Sequence, residues 1–316
     1  MFRNIILNVF LIFLYSTSIH AIEKRKLNDA EIEQKLNSLK WQNSENSKDH
    51  KIKIPGSKAS IQIYEYEEYL LGQDIEQFHW WSYGKYNHDS VLEILTNDYM
   101  FSIDRPSNDG YIKIDDWSNV SPEELIQGIR DANKDKKDGL SYAKQVEWIY
   151  KPNLDKKNNM VNYSYKVVWS DNRINMESVN IILGRSGYIH QTFVFSDLSD
   201  TEAIAKYVKG AASDITFDSD YTYNNYKAGD KVAAVGISAL VATTLGVKAI
   251  KAVGGGAAAT GGFLLLLKKF WWIIMAPLVF IGKLFGGSED KNQNNSSDRN
   301  LNDDSLRKST KRKKNK

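Results

Sequence analysis

The chain of 316 residues contains no cysteine. This excludes disulfide bridges, thiolate nucleophiles and thiolate-bound zinc. It also excludes lipoprotein processing, which needs a cysteine at the leader exit. The histidines are His20, His50, His79, His88 and His190. None stands in the H-x-x-x-H or H-E-x-x-H spacing that brings two imidazoles to one metal ion, so no cofactor or metal is expected. No G-x-S-x-G element is present. Gly256 and Gly261 have the spacing of a phosphate loop, but Gly262 and Phe263 stand where Lys-Ser/Thr is required. Acidic residues are missing from residues 231–287 altogether, a stretch that holds six lysines.

Charge is distributed unevenly. Residues 22–230 carry 26 bases and 34 acids, whereas residues 288–316 carry nine bases and five acids. The first 21 residues hold one base, Arg3, ahead of a short apolar run and then Ser16, Thr17, Ser18 and Ala21. A basic start, a short apolar core and a small exit residue describe a secretory leader, with cleavage expected after Ala21. Near the other end, residues 232–247 and 252–267 carry no charge, and residues 270–282 resume the run after Lys268 and Lys269. Spanning a bilayer takes about 20 apolar residues. The first run reaches that length if Lys231 and Lys248 snorkel, and it is the better span because the second has two lysines near its middle. Small residues recur every fourth position, at Ala234, Ser238, Ala242 and Gly246 and again at Gly254, Ala258 and Gly262. Such stripes allow close helix contact in lipid, as a hairpin or between copies of the chain.

The expected organisation is a leader (1–21), a peripheral helix and linker (22–55), an exported domain (56–230), a membrane anchor of one or two helices (231–287) and a polar, basic tail (288–316). Within the domain, Val161, Tyr163, Tyr165, Val167 and Trp169 alternate with polar residues, as a half-buried strand requires. Val179 to Leu183 and Ile189 to Phe195 flank Gly184-Arg185-Ser186-Gly187, which reads as a hairpin. Ser121-Pro122-Glu123-Glu124 and Ser199-Asp200-Thr201-Glu202 are helix-start signals. An α+β fold follows, an antiparallel sheet with helices packed on it, joined to a C-terminal transmembrane helix or helical hairpin.

The run Gly110-Tyr111-Ile112-Lys113-Ile114-Asp115-Asp116, the strand Val146-Glu147-Trp148, the turn Gly184 to Gly187 and the segment Asp230-Lys231-Val232-Ala233-Ala234-Val235-Gly236 carry a resemblance. Together they resemble a bacterial family of uncharacterised membrane-anchored proteins, domain of unknown function 2167. The resemblance implies an exported domain and an anchor, and it brings no catalytic residues. The order of strands followed by a helix near residues 199–212 and Ile215-Thr216-Phe217 is more loosely similar to the PsbP-like and Mog1-like sandwich.

The candidates for chemistry are few. Asp115 and Asp116 are adjacent carboxylates that can serve as an acid/base pair with His79 or His190. Adjacent acids more often end a solvated loop before a helix. Phe78, Trp80, Trp81 and Tyr83, with Tyr64, Tyr66 and Tyr69, form an aromatic-rich stretch that suits core packing or a contact surface. The acidic domain disfavours nucleic acid as its partner. Lys268, Lys269, Arg312, Lys313 and Lys314 are expected to set topology or meet anionic lipid. The expected protein is an inner-membrane protein with its domain on the periplasmic side, a non-enzymatic binding module whose partner is another envelope protein or itself. The alternatives are a hydrolase-like enzyme using a carboxylate and a histidine, and an oligomer driven by the anchor.

Overall fold

The structure is a computed structural model that describes residues 29–247 except 47, 84–86, 97–98, 134–141 and 196–197. The expected leader, the second apolar run with Gly254, Ala258, Gly262, Lys268 and Lys269, and the tail with Arg312, Lys313 and Lys314 lie outside the described residues.

Helix α1 (Asp29–Asn37) is followed by the short strands β1 (Gln42–Asn43), β2 (Lys51–Lys53), β3 (Ala59–Gln62) and β4 (Glu68–Leu71). Helix α2 (Gln73–Tyr83) leads to β5 (Ser90–Leu95) and β6 (Tyr99–Asp104). Helix α3 (Pro122–Asn133) precedes a meander of β7 (Ala143–Asp155), β8 (Met160–Trp169), β9 (Ile174–Gly184) and β10 (Gly187–Phe195). Helix α4 (Thr201–Ala211), strand β11 (Ile215–Phe217) and helix α5 (Ile237–Thr244) complete the order. Eight strands form one antiparallel sheet in the order β1-β4-β5-β6-β10-β9-β8-β7, and β11-β3-β2 form a second. The α+β architecture is therefore as the sequence indicates.

The strand period of two splits the large sheet into two faces. On the first, Ile94, Phe101, Phe193 and Ile182 pack with α4 and the small sheet through Val208, Ile61 and Ile215. On the second, Val161, Tyr163, Val167, Trp169 and Val179 pack with α3 and α5 through Leu125, Ile129, Ile237 and Val241. Helix α3 starts where the sequence places it, with Ser121 Oγ accepting from the Glu124 amide at 3.3 Å. It is tied to β7 by Trp148 Nε1, which donates to the Pro122 carbonyl, and by Arg130, which donates to the Val146 carbonyl. The cap of α4 is Asp200, whose carboxylate accepts from the Ala203 amide at 2.9 Å, one residue later than Ser199.

Residues 232–247 depart from expectation. In place of a continuous helix there is an extended segment at Val232, a bend, and an α5 of eight residues, about 12 Å long. Among the described residues no helix is long and apolar enough to cross a membrane. Gly246, at φ 66°, turns the chain just after the helix in a conformation glycine adopts at little cost. The reason is tertiary: Ile237, Leu240, Val241, Ala242, Leu245 and Val247 are all buried in the second core. Val247 sits so close to α3 that a Cβ on Gly128 would lie 2.3 Å from it. From Ile237 onward the run is apolar because it belongs to the domain interior.

Trp169 and Lys166 test the register. Trp169 is 2% exposed and donates to Asn175 Oδ1 at 2.8 Å, whereas Lys166 points to the other face and pairs with Glu147 near the surface. Trp169→Asp is expected to unfold the domain, because the cavity alone costs about 3–5 kcal/mol and the buried charge adds to it. Lys166→Asp is expected to cost about 1 kcal/mol or less. Urea melts followed by circular dichroism distinguish them, and equal effects overturn the register.

Candidate functional site

Strands β5, β6, β10 and β9 carry polar side chains on the second face, between the part covered by α2 and the part covered by α3 and α5. Strand pairing fixes their neighbours. Glu93 lies opposite Ser102, and Asp104 lies beside Ser90. Helix α2 places His79 over Glu93, with Nε2 2.7 Å from Oε1 and both side chains fully buried. His190 Nδ1 lies 2.9 Å from Asp104 Oδ2, and these residues are 3% and 5% exposed. In each pair a ring nitrogen faces a carboxylate oxygen, and which of the two carries the proton follows the tautomer. A third polar group joins the two pairs. Asn87 Nδ2 donates to Ser90 Oγ at 2.7 Å and lies 3.4 Å from His79 Nε2, while Ser90 Oγ reaches Asp104 Oδ1 at 3.5 Å.

Sequence reasoning selects both histidines and misses their carboxylates. Asp115 is exposed. Asp116 accepts from the Ser238 hydroxyl and from the Ser238 amide at 3.4 Å, so it holds the start of α5. Glu93 stands inside the run Val91-Leu92-Glu93-Ile94-Leu95 and Asp104 ends Met100-Phe101-Ser102-Ile103. A lone acid inside a strand-length apolar run is the signal that would have found them. The proposed helix-packing residues also scatter. Ala234 is exposed outside any helix, Ser238 binds Asp116, Ala242 is buried in the domain, and Gly246 follows the helix end.

Chemically, an imidazole held by a carboxylate is the arrangement of a general base. The hydroxyls nearby do not complete a nucleophile–base–acid line. Ser90 is turned to the acid, and Thr192 Oγ1 approaches the acid-bound nitrogen of His190 at 3.5 Å. A shallow cleft lined by Ser57, Lys58, Ser107, Ser186, Tyr188 and Tyr221 has neither an acid nor a histidine in its wall. Among the described residues no group of three or more His, Asp and Glu is arranged to hold a metal ion.

Two further acids are buried. Burial pushes the Glu177 carboxyl up to about 7, against a hydrogen bond from Tyr165 that lowers it, with Asp104 adding to the rise. Burial likewise pushes Glu67 up to about 7, although it accepts from the Tyr64 amide at 2.8 Å and from the Tyr99 hydroxyl at 3.1 Å. Tyr99 in turn meets Tyr207, hydroxyl to hydroxyl, at 2.7 Å. The aromatic-rich stretch divides: Phe78, Trp80 and Tyr69 are core, whereas Tyr64 stacks on the exposed Tyr66 with centroids 5.7 Å apart. Trp81 is half-buried under Lys35, and the Tyr83 side chain lies outside the described residues.

A carboxyl raised in the folded state binds more protons there than in the unfolded chain. Its favourable contribution is therefore present below about pH 4.5 and is lost as pH rises through about 7. Glu177→Gln keeps an acceptor for Tyr165 and removes the charge. The variant is expected to gain stability over the parent at pH 8, by roughly 3 kcal/mol at most, and to gain nothing at pH 4. Urea midpoints at the two pH values check this, and an equal change at both overturns it.

The chain belongs to the family described as "Protein of unknown function (DUF2167)", whose model matches residues 46–279. No curated protein matches the chain. Among solved structures, cyanobacterial PsbP (CyanoP) from Synechocystis sp. PCC 6803 is similar at 12% identity and a TM-score of 0.33, covering 53% of this chain and 91% of its own. The Ran-binding protein Mog1p of Saccharomyces cerevisiae is similar at 7% identity and a TM-score of 0.24, covering 57% of this chain and 96% of its own. At these scores neither likeness supports any inference about function.

Proposed function

We propose that this protein is a membrane-tethered binding module of the cell envelope. Residues 1–21 direct export, the α+β domain stands outside the cytoplasmic membrane, and the apolar run from Ala252 to Gly282 enters the bilayer. The observation that carries binding over catalysis is the closure of the imidazole–carboxylate pairs: His79 and Glu93 are fully buried, and His190 and Asp104 nearly so. A substrate would have to part the sheet from its covering helices to reach them. The pairs answer one another's polarity inside the fold, which is the ordinary requirement on buried charge.

Tethering rests on what the domain leaves over. Residues 237–247 are committed to the core, so residues 252–282 are the apolar stretch remaining for lipid. The family match runs through residue 279, so most of that stretch recurs in the family together with the domain. A single entry into the bilayer places the basic tail, with Arg312, Lys313 and Lys314, on the cytoplasmic side, as the bias of basic residues favours. Anchor-driven oligomerisation loses support, since Ser238 and Ala242 are used inside the domain.

Two measurements test this reading. A reporter active only outside the cytoplasm, fused after Lys251, is expected to be active and to lose activity when residues 1–21 are removed. Full activity without them overturns export. Crosslinking the full chain in its membranes is expected to give a discrete adduct with a second protein that persists in folded Glu93→Gln and Asp104→Asn variants. Adducts containing this chain alone would favour the oligomer, and loss of the adduct in folded variants would favour chemistry at the pairs.

A further inference from the structure

The described chain ends at Val247, buried against Gly128 of α3. Lys248, Ala249, Ile250 and Lys251 then lead to Ala252, the start of the uncharged run. Fully extended, the link from Val247 to Ala252 spans at most about 18 Å. A domain joined to a bilayer-embedded segment by so short a link cannot stand clear of the membrane. On the tethered reading above, one of its faces therefore lies at the level of the lipid headgroups.

The surface suited to that position is on the segment leading into α5. Among the described residues the large apolar side chains most exposed are Tyr66, Ile174, Tyr226 and Val232. Two of these four come together. Tyr226 packs on Tyr111 with ring centroids 4.3 Å apart, and Tyr111 packs on Tyr223 at 4.5 Å. Val232 pairs directly with Tyr111 through a backbone bridge, in which Tyr111 N donates to the Lys231 carbonyl at 2.8 Å and Ala233 N donates to the Tyr111 carbonyl at 3.0 Å. Tyr223 anchors the stack by donating from its hydroxyl to the Ile112 carbonyl at 2.7 Å. The exposed apolar surface is thus rigidly backed.

Its charge matches an anionic surface. Lys227 and Lys231 flank the patch and are exposed. Asp230, the acid between them, is already engaged by Arg185 through two hydrogen bonds of 2.7 and 2.6 Å. From residue 221 to residue 251 no other acid occurs, and Lys248 and Lys251 continue the basic character up to the apolar run. On the neighbouring segment the exposed Asp109 and Asp115 stand against Lys113, and Lys227 and Lys231 still leave the patch with an excess of basic charge. Tyrosine rings suit the interface because an apolar ring and a polar hydroxyl meet there, and nearby lysines draw a segment to acidic lipid.

We propose that Tyr226 and Val232, with Lys227 and Lys231, form a docking surface for anionic phospholipid headgroups. The inference rests on the tethered reading above and specifies which face of the domain the membrane covers. The absence of cysteine makes single-site labelling clean. Full-length chain carrying Ala228→Cys is labelled with an environment-sensitive thiol probe and reconstituted into vesicles of phosphatidylcholine with phosphatidylglycerol. Ile174→Cys is the control: Ile174 begins β9, about 30 Å from Gly184, which ends it next to Arg185. Asn224→Cys gives a second reading, and both exposed positions leave Tyr226 and Lys227 in place.

The probes at 228 and 224 are expected to be shielded from an aqueous quencher at least about threefold relative to 174. That shielding is expected to fall in phosphatidylcholine alone and at high salt. Equal quenching at all three positions, in chain that floats with its vesicles, overturns the docking surface and leaves the tether standing. Chain that does not float overturns the tether and the docking surface with it. Shielding that persists in lipid-free detergent assigns the patch to contact between copies of the chain and overturns the lipid surface.

Discussion

A sheet covered on both faces sets the terms for the rest of this molecule. Strands β5, β6, β8, β9 and β10 are buried almost throughout, so each side chain on either face must be apolar or matched. An unmatched buried polar group costs on the order of 1–3 kcal/mol, and an unmatched charge costs more. Glu93 with His79, Asp104 with His190, and Asn180 with Gln191 and the Val208 carbonyl are the local answers to that cost. Glu177 accepts from Tyr165, and Glu67 from the Tyr64 amide and the Tyr99 hydroxyl, and burial lifts both carboxyls to about 7.

The same constraint explains α5. The second face presents Tyr163, Trp169, Val167 and Val179, and α3 alone is too narrow to cover a sheet that wide. Residues 237–247 supply the missing cover, and Tyr163 even finds a hydroxyl there, in Thr244 at 3.2 Å. Three independent holds bring this segment in: the Arg185–Asp230 fork, the backbone bridge at Tyr111, and Asp116 at the start of the helix. Arg185 holds the Asp230 carboxyl down to about 2, so the fork keeps its charge at any physiological pH.

The fold was legible where local pattern and burial agree. The period-two run of β8, the Gly184–Gly187 hairpin and the Ser121 cap each contain their own signal, and each stands where the sequence puts it. The first half was less legible. Strands β4, β5 and β6 are short and buried on both faces, which erases alternation, and β6 joins the later meander only by pairing Ile103 with the distant Gln191 of β10. Of the candidate site, the two histidines were visible, but the carboxylates were not, because strand register and not sequence proximity brings Asp104 beside His190 across 86 residues. Residues 232–247 were misread for a related reason. Hydropathy measures the need for an apolar environment and is silent on whether lipid or protein provides it; an uncharged run of this length satisfies either one.

The same packing bears on how residues 230–247 and the rest of the domain behave together. A terminal segment that follows a flexible linker can be cut away without loss of the fold. Here residues 237–247 are themselves a wall of the second core. Cleavage ahead of Asp230 would strip α5, expose Tyr163 and Trp169, and remove the partner of Arg185. The domain and residues 230–247 are therefore one cooperative unit. The close fit of Val247 on Gly128, which leaves no room for even a methyl group, is the last contact of that unit along the described chain.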